Sequence, residues 1–322
     1  VRIKGGRFLV IGGAGFIGSH VVDSLLSQGA AQVRVYDNFS RGSRENLHNA
    51  LLDPRFEIYS HGGDILHMDT LVHAMSEMDG VFHLAALWLL QCYEYPRSAF
   101  DVNVVGTMNV VEAAITAGIK KLVFSSSASV YGDAVSEPME ENHPLNCQEF
   151  YGASKVCGEM ILRALCNRDR DVGGALKYVG LRYMNVYGPR QDDKGAYVGV
   201  IVRMLNDLDA GQQPIIHGDG SQSYDFVDVR DCAQANICAM QSEISGEFYN
   251  VGTGKKTSLL SLVSVLEEIH LNKLGHRFEV NIRPFVKNRV GSTTKASLDL
   301  GFEAKVDLEL GLKNYVNYRK VP

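Results

Sequence analysis

Tyr151 and Lys155 stand four residues apart in Tyr151-Gly152-Ala153-Ser154-Lys155, the separation at which two side chains share one face of a helix. A phenol ionises near pH 10 and is a poor base at neutral pH. An ammonium held beside it favours phenolate and lets it accept the proton of an alcohol. On an exposed helix the same pair carries no chemistry; its weight here comes from what precedes it. Glycines 12, 15 and 18 punctuate Gly12-Gly13-Ala14-Gly15-Phe16-Ile17-Gly18. The first permits a tight turn, the second lets backbone N–H groups approach a pyrophosphate, and the third lets a helix pack closely on a strand. Asp37 follows at about 20 residues, where a carboxylate accepts from the hydroxyls of an adenosine ribose. Its charge repels a 2′-phosphate and so favours NAD over NADP, although Arg41 and Arg44 are close enough in sequence to offset it. Asp64, after His61-Gly62-Gly63, either hydrogen-bonds the adenine or caps the helix that follows. Ser125-Ser126-Ser127-Ala128-Ser129 offers hydroxyls to a substrate, or is a serine-rich turn bonding its own backbone.

Such residues need alternating strands and helices to bring them together, and the hydrophobic pattern supplies them. Phe8-Leu9-Val10-Ile11 reads as a buried strand, followed by the glycine turn and by Ile17, Val21, Val22, Leu25 and Leu26 at helical spacing, closed by Gly29. Val33-Arg34-Val35-Tyr36, Phe56-Glu57-Ile58-Tyr59, Val81-Phe82-His83-Leu84 and Leu122-Val123-Phe124 read as further strands with room for crossover helices. The serine run then follows the fifth strand, at the carboxyl edge where such sheets bind ligands. This predicts an α/β fold, a Rossmann-type doubly wound parallel sheet with a smaller C-terminal substrate lobe. Past Leu181 the alternation loosens: Tyr187-Gly188-Pro189-Arg190 and Gly211 to Ser223 read as loops around a helix from Gly199 to Asp209, and Glu247-Phe248-Tyr249-Asn250-Val251 as a strand returning to the main sheet. The expected division is a dinucleotide-binding domain over 1–182 with a return segment near 226–252, and a substrate lobe over 183–225 and 253–322.

Composition narrows the function classes. The 322 residues are 45% hydrophobic and 21% charged with eight prolines, which excludes wholesale disorder and suits one large or two moderate domains. A net charge of −5 gives no general attraction to a polyanion, so no nucleic-acid partner is expected. The longest apolar stretch, Val81 to Leu90, contains His83 and falls short of the roughly 20 residues that cross a bilayer, so no membrane partner is expected either. Val1 to Gly6 carry no apolar signal core, which makes the cytoplasm the expected location. The six cysteines form no paired C-x-x-C set and are expected as thiols, with no metal site.

Taken together, the residues resemble the extended short-chain dehydrogenase/reductase superfamily, and within it the NAD-dependent nucleotide-sugar epimerases and dehydratases of the UDP-glucose 4-epimerase type. The resemblance spans nearly the whole chain. Beyond the motifs above it includes His83-Leu84-Ala85-Ala86, Asn103-Val104-Val105-Gly106-Thr107, Ser125 to Gly132, Leu181 to Pro189, and Thr294-Lys295-Ala296 with Leu300-Gly301-Phe302. It implies that Tyr151 is the catalytic base, that Lys155 holds the nicotinamide ribose and lowers the tyrosine pKa, and that Ser127 hydrogen-bonds the reacting hydroxyl. It implies an NAD site made of Gly12, Gly15, Phe16, Ile17, Gly18, Asp37, Asn38, Asp64, Ile65, Leu84, Ala85, Ala86, Asn103, Ser125, Tyr151, Lys155 and Tyr183. The implied reaction is 4-epimerisation of a UDP-hexose or UDP-hexuronate through a transient 4-keto sugar, with Asn185 on the nucleotide-sugar. A homodimer is implied through the helices near Ala99 to Ala117 and Tyr151 to Cys166; the stripe Ile161, Leu162, Leu165 suits that contact or burial on the sheet equally.

Departures from the family pattern bear on the substrate. The 4,6-dehydratases typically carry Thr-Asp-Glu before Val-Tyr-Gly, where this chain has Ser127-Ala128-Ser129, so C6 dehydration lacks its acid and base. UDP-glucuronate decarboxylases usually have Glu near the Ser129 position but share Gly188-Pro189-Arg190; they and the nucleotide-sugar 4,6-dehydratases are the enzymatic alternatives. A dinucleotide-binding regulatory protein is the non-enzymatic one, although a sensor needs the glycine loop and not the base. Tyr224 stands where the family usually has an Arg that clamps the nucleotide diphosphate; Arg283 or Arg289 is placed to supply that charge, or is a solvent-facing cation. Arg289 also falls near the position that leaves room for an N-acetyl group, where a bulky cation disfavours a GlcNAc substrate. Arg190 or Arg289 is alternatively a partner for a C6 carboxylate. Trp88, in the apolar Leu87-Trp88-Leu89-Leu90, walls the sugar pocket or packs in a core or dimer contact.

Overall fold

The computed structural model describes residues 1–193, 198–271, 273–280 and 286–320. β1 (Arg7–Ile11) turns through the glycine loop into α1 (Phe16–Ser27), followed by β2 (Gln32–Tyr36), β3 (Phe56–Ile58), α2 (Met68–Ala74) and β4 (Gly80–His83). Helices α3 (Leu89–Glu94), α4 (Pro96–Phe100) and α5 (Gly106–Thr116) lead to β5 (Lys121–Ser127), and the long α6 (Phe150–Asp171) leads to β6 (Lys177–Tyr183). Next come β7 (Asn185–Tyr187), α7 (Val200–Asp209), β8 (Ile215–His217), β9 (Ser223–Tyr224), β10 (Phe226–Asp228), α8 (Val229–Gln241) and β11 (Glu247–Val251). The chain closes with β12 (Thr257–Ser258), α9 (Leu259–His270), β13 (Arg277–Glu279), β14 (Asn288–Arg289), α10 (Thr294–Leu300) and α11 (Leu308–Arg319).

Seven strands form one parallel sheet in the order β11-β6-β5-β4-β1-β2-β3. The period of two along each strand explains why both faces are covered. Phe8 and Val10 enter a cluster with Val21, Val22 and Leu25 of α1 and Ile237 and Met240 of α8. Leu9 and Ile11 enter the opposite one, with Val110 and Val111 of α5 and Leu162 of α6. This is the Rossmann-type doubly wound architecture, and the return strand is present as β11 on the outer side of β6. A third cluster lies apart from the sheet, where α7, α9 and α11 bring Val202, Leu205, Leu262, Leu266 and Leu312 around Tyr187.

Two local readings are corrected. Ser125, Ser126 and Ser127 do not follow the fifth strand but are its last residues, paired with Leu181, Arg182 and Tyr183 of β6. Burying serines there is tolerated because Ser126 Oγ donates to Glu159 Oε1 at 2.6 Å and Ser125 Oγ meets the Tyr183 hydroxyl at 3.1 Å. The stretch from Gly211 to Ser223 is not loop throughout, since β8 pairs there with β13, a long-range partner that no local pattern reports.

Candidate active site

The strand order reverses between β1 and β4, and the cleft of such a sheet opens at the carboxyl ends of the strands on either side. Here it has a volume of about 2390 Å³, beyond the roughly 300–1,000 Å³ of a site for one small ligand. Gly12 turns the chain with φ +78°, and a Cβ on it would stand 2.6 Å from the Ala85 backbone nitrogen. A Cβ on Gly18 would collide with the Gly12 carbonyl oxygen, so α1 reaches the loop only because that residue has no side chain. Gly15 precedes α1 and offers no side chain to cap it, which leaves the first-turn N–H groups for an anion. Asp37 accepts from the backbone nitrogens of Ala14 and Phe39, both at 2.9 Å. A carboxylate has about four acceptor sites, which leaves capacity for ribose hydroxyls; burial raises its pKa against those two bonds. The residues present therefore fit a dinucleotide. Phe16, Ile17, Asn38, Asp64, Ile65, Leu84, Ala85, Ala86, Ser125 and Tyr183 line the same cleft. Asp64 does not cap α2: its Oδ1 accepts from Leu66 N at 2.9 Å in the preceding turn. Asn103 sits one step back, its amide closing on Leu87 N at 2.8 Å and Leu87 O at 2.9 Å. These bonds brace the cleft wall at Leu87.

Tyr151 and Lys155 lie on successive turns of α6 and both line the cleft. Lys155 Nζ donates to the Ser125 carbonyl at 2.7 Å and stands 5.7 Å from the centroid of the Tyr151 ring. Ser127, half-buried at the end of β5, stands close enough to the phenol to pull its pKa down, while its Oγ accepts from Ser129 N at 3.1 Å. Burial pushes the phenol up to about 12, opposed by Ser127 and by the charges of Arg41 and Arg289. In the protein alone desolvation outweighs the lowering that an ammonium was expected to bring. Burial also pulls Lys155 down to about 8, opposed by Cys92 and Glu159. Since the ammonium is the form that favours phenolate, activity is expected to fall as pH rises through about 8. In Lys155→Arg, whose guanidinium does not deprotonate in this range, that limb should move upward by at least one pH unit, roughly; a limb that stays in place assigns it to another group.

Toward the cluster around Tyr187, Asn185, Arg190, Tyr224 and Arg289 line the cleft. Arg283 lies outside the described residues. Arg190 reaches back to α1, with Nη2 2.6 Å from Asp23 Oδ2, and its buried Nη1 has no hydrogen-bond partner among the described residues. Tyr224 donates its hydroxyl to the Val286 carbonyl at 2.8 Å. In the parallel pairing of β9 and β14, Arg289 stands directly opposite it. Arg289 Nη1 contacts Ser129 Oγ at 3.4 Å, its Nε is buried without a partner among the described residues, and burial pulls its pKa down. Two acidic residues escaped the sequence reading. Glu149 lies within electrostatic reach of Arg289, and its place two residues before Tyr151 was the available signal. Asp192 pairs with Arg41, across a sequence distance that gives none. Trp88 lines the cleft just before α3, under the Arg41 guanidinium.

Comparison with known proteins agrees with this geometry. Residues 8–252 match the model of the NAD dependent epimerase/dehydratase family. A UDP-glucose 4-epimerase of Mycolicibacterium smegmatis is 36% identical over 323 residues, covering 97% of this chain and 98% of that one. A UDP-N-acetyl-alpha-D-glucosaminuronate decarboxylase of Bacillus cytotoxicus is 31% identical over 325 residues, covering 97% of each. The crystal structure of UDP-glucose 4-epimerase with UDP-glucose from Thermotoga maritima superposes with a TM-score of 0.88 at 35% identity, over 98% of each chain. A likeness that runs the length of both partners and takes in the cofactor loop makes this chain an NAD-dependent enzyme and a member of the NAD-dependent epimerase/dehydratase family.

Proposed function

We propose that the protein is a 4-epimerase of a UDP-linked hexose or hexuronate, interconverting UDP-glucose and UDP-galactose or UDP-glucuronate and UDP-galacturonate. The observation that carries this reading is the neutral turn beside the phenol. Ser127 stands beside Tyr151 and is followed by Ala128 and Ser129, so the turn holds no carboxylate to remove a proton or protonate a leaving hydroxyl elsewhere on the sugar. Bound NAD supplies a reversible two-electron acceptor for the sugar C4. Tyr151 takes the 4-hydroxyl proton while Ser127 holds the oxygen, and Lys155, Arg41 and Arg289 gather positive charge about the phenolate. Once the 4-keto sugar presents its other face, the same phenol returns the proton. The glucosaminuronate decarboxylase among the relatives supports keeping decarboxylation as the second reading, but Ser129 meets Arg289 with a neutral hydroxyl.

Arg289 replaces the charge absent at Tyr224, since its guanidinium is opposite that residue and matches phosphate oxygens bidentately. Arg190, with a buried nitrogen that has no hydrogen-bond partner among the described residues, is the candidate for a C6 carboxylate. Proton NMR of the products from UDP-glucose and UDP-glucuronate, each with NAD, tests the reading; a pentose or a deoxy-keto product would overturn it. In the same assay Arg190→Ala is expected to lose roughly tenfold or more in kcat/KM on UDP-glucuronate alone. Equal losses on both sugars would remove the carboxylate role.

A homodimer forms part of this proposal. Leu162 is buried and Leu165 packs against the sheet-side cluster, so that stripe serves the core. Phe100, Val105, Met108 and Met160, on or beside α4, α5 and α6, are exposed instead and supply apolar surface for a second copy. Met108→Glu with Met160→Glu is expected to convert a dimer to monomers in sedimentation velocity; an unchanged dimer would place the interface elsewhere.

A further inference from the structure

A guanidinium held over the face of an indole is a braced charge whose N–H groups can still donate. Arg41 is in this position, with its Cζ 4.4 Å from the centroid of the Trp88 ring. Its one hydrogen bond to a described residue, from Nη2 to Asp192 Oδ2, is 3.5 Å long, well beyond a strong charge-assisted bond. Burial pulls its pKa down, with Asp192 opposing. A partly desolvated cation with one loose carboxylate partner has donors to spare.

Its location says for what. Arg41 follows Asp37 on the loop after β2, Trp88 follows Ala85 and Ala86 after β4, and Asp192 follows Gly188-Pro189-Arg190 in the loop after β7. The Arg41 charge is also felt at the phenol of Tyr151. The guanidinium therefore stands between the carboxylate suited to the adenosine ribose and the reaction centre, the stretch in which the diphosphate of a dinucleotide must lie. Stacked on Trp88, it is not held at Asp37 as a partner for a 2′-phosphate. We infer that Arg41, braced by Trp88, binds the diphosphate of NAD from the side of the cleft opposite the glycine loop and α1. An epimerase gains from such a contact, because its cofactor must stay bound while the keto sugar turns. The inference itself rests on NAD binding and not on which sugar is accepted.

The test needs no turnover. Trp88 is the only tryptophan in the chain, so tryptophan emission of the NAD-stripped protein reports directly on this contact. NAD, ADP-ribose, adenosine and UDP are titrated separately into the wild type, Arg41→Met and Arg41→Lys. Binding of NAD and of ADP-ribose is expected to weaken roughly 10- to 100-fold in Arg41→Met, with part recovered in Arg41→Lys. Adenosine, which lacks phosphate, and UDP, whose diphosphate belongs to the sugar nucleotide, should bind as in the wild type. Unchanged NAD affinity would overturn the inference. A loss on UDP alone would assign Arg41 to the substrate diphosphate, and a loss that includes adenosine would reduce it to a support for the loop after Asp37; either also overturns it.

Discussion

Tyr151→Phe should lower kcat by about 10²- to 10⁴-fold while leaving NAD affinity within about twofold of the wild type. The ring lies at the start of α6, and its phenol is buried against Ser127 with the charges of Arg41 and Arg289 around it. Phenylalanine keeps the ring in that packing and removes only the oxygen, so the loss reports the proton transfer and not a collapsed site. Ser127→Ala, which leaves the phenol in place but takes away its partner, should fall between the two, with a smaller loss in kcat. Steady-state rates beside NAD titrations check both. A Tyr151→Phe enzyme within tenfold of wild-type kcat would mean that another group takes the proton.

The second large effect is on stability and comes from a residue one turn beyond Lys155. Glu159 and Arg182 face each other with side chains 0% and 5% exposed, joined by two bonds of 2.9 and 2.7 Å. Such a pair adds little over a well-packed apolar pair, but removing one partner strands a buried charge, at a cost of about 3–5 kcal/mol. Glu159→Ala is therefore expected to lower the free energy of unfolding in urea by about that much, and Glu159→Ala with Arg182→Met should recover a large part of it. A loss below about 1 kcal/mol would show that water reaches the guanidinium. Activity should suffer as well, even where the variant is folded. Lys155 and Glu159 are held by the Ser125 carbonyl and Ser126, and Tyr151 lies beside Ser127, so three consecutive strand residues set the register of the helix that carries the base.

What could be read in advance was whatever depends on near neighbours in the chain. Phe8 to Ile11, the glycine loop and the helical spacing from Ile17 to Leu26 form one local unit, and its pattern matches β1 and α1 within two residues. Tyr151 and Lys155 share a helix face for the same reason. The serine run was placed one element late because its strand character comes from pairing with Leu181 to Tyr183, which a local pattern cannot show. Partners far apart in sequence were out of reach altogether. Nothing near Arg190 points to Asp23, nothing near Tyr224 places Arg289 opposite it, and nothing near Arg41 points to Trp88. Likewise nothing near Asn103 in sequence points to the Leu87 backbone or the Ser154 hydroxyl that its amide reaches.

The most direct test of 4-epimerisation is the fate of the C4 hydrogen. The protein is incubated with NAD and a UDP-sugar deuterated at C4, and the products are read by NMR and mass spectrometry. Oxidation and return at C4 within one closed site predict a C4 epimer that keeps its deuterium, with no reduced nicotinamide accumulating. A product that has lost C6 or its 6-hydroxyl, or a stable keto sugar, would contradict the account.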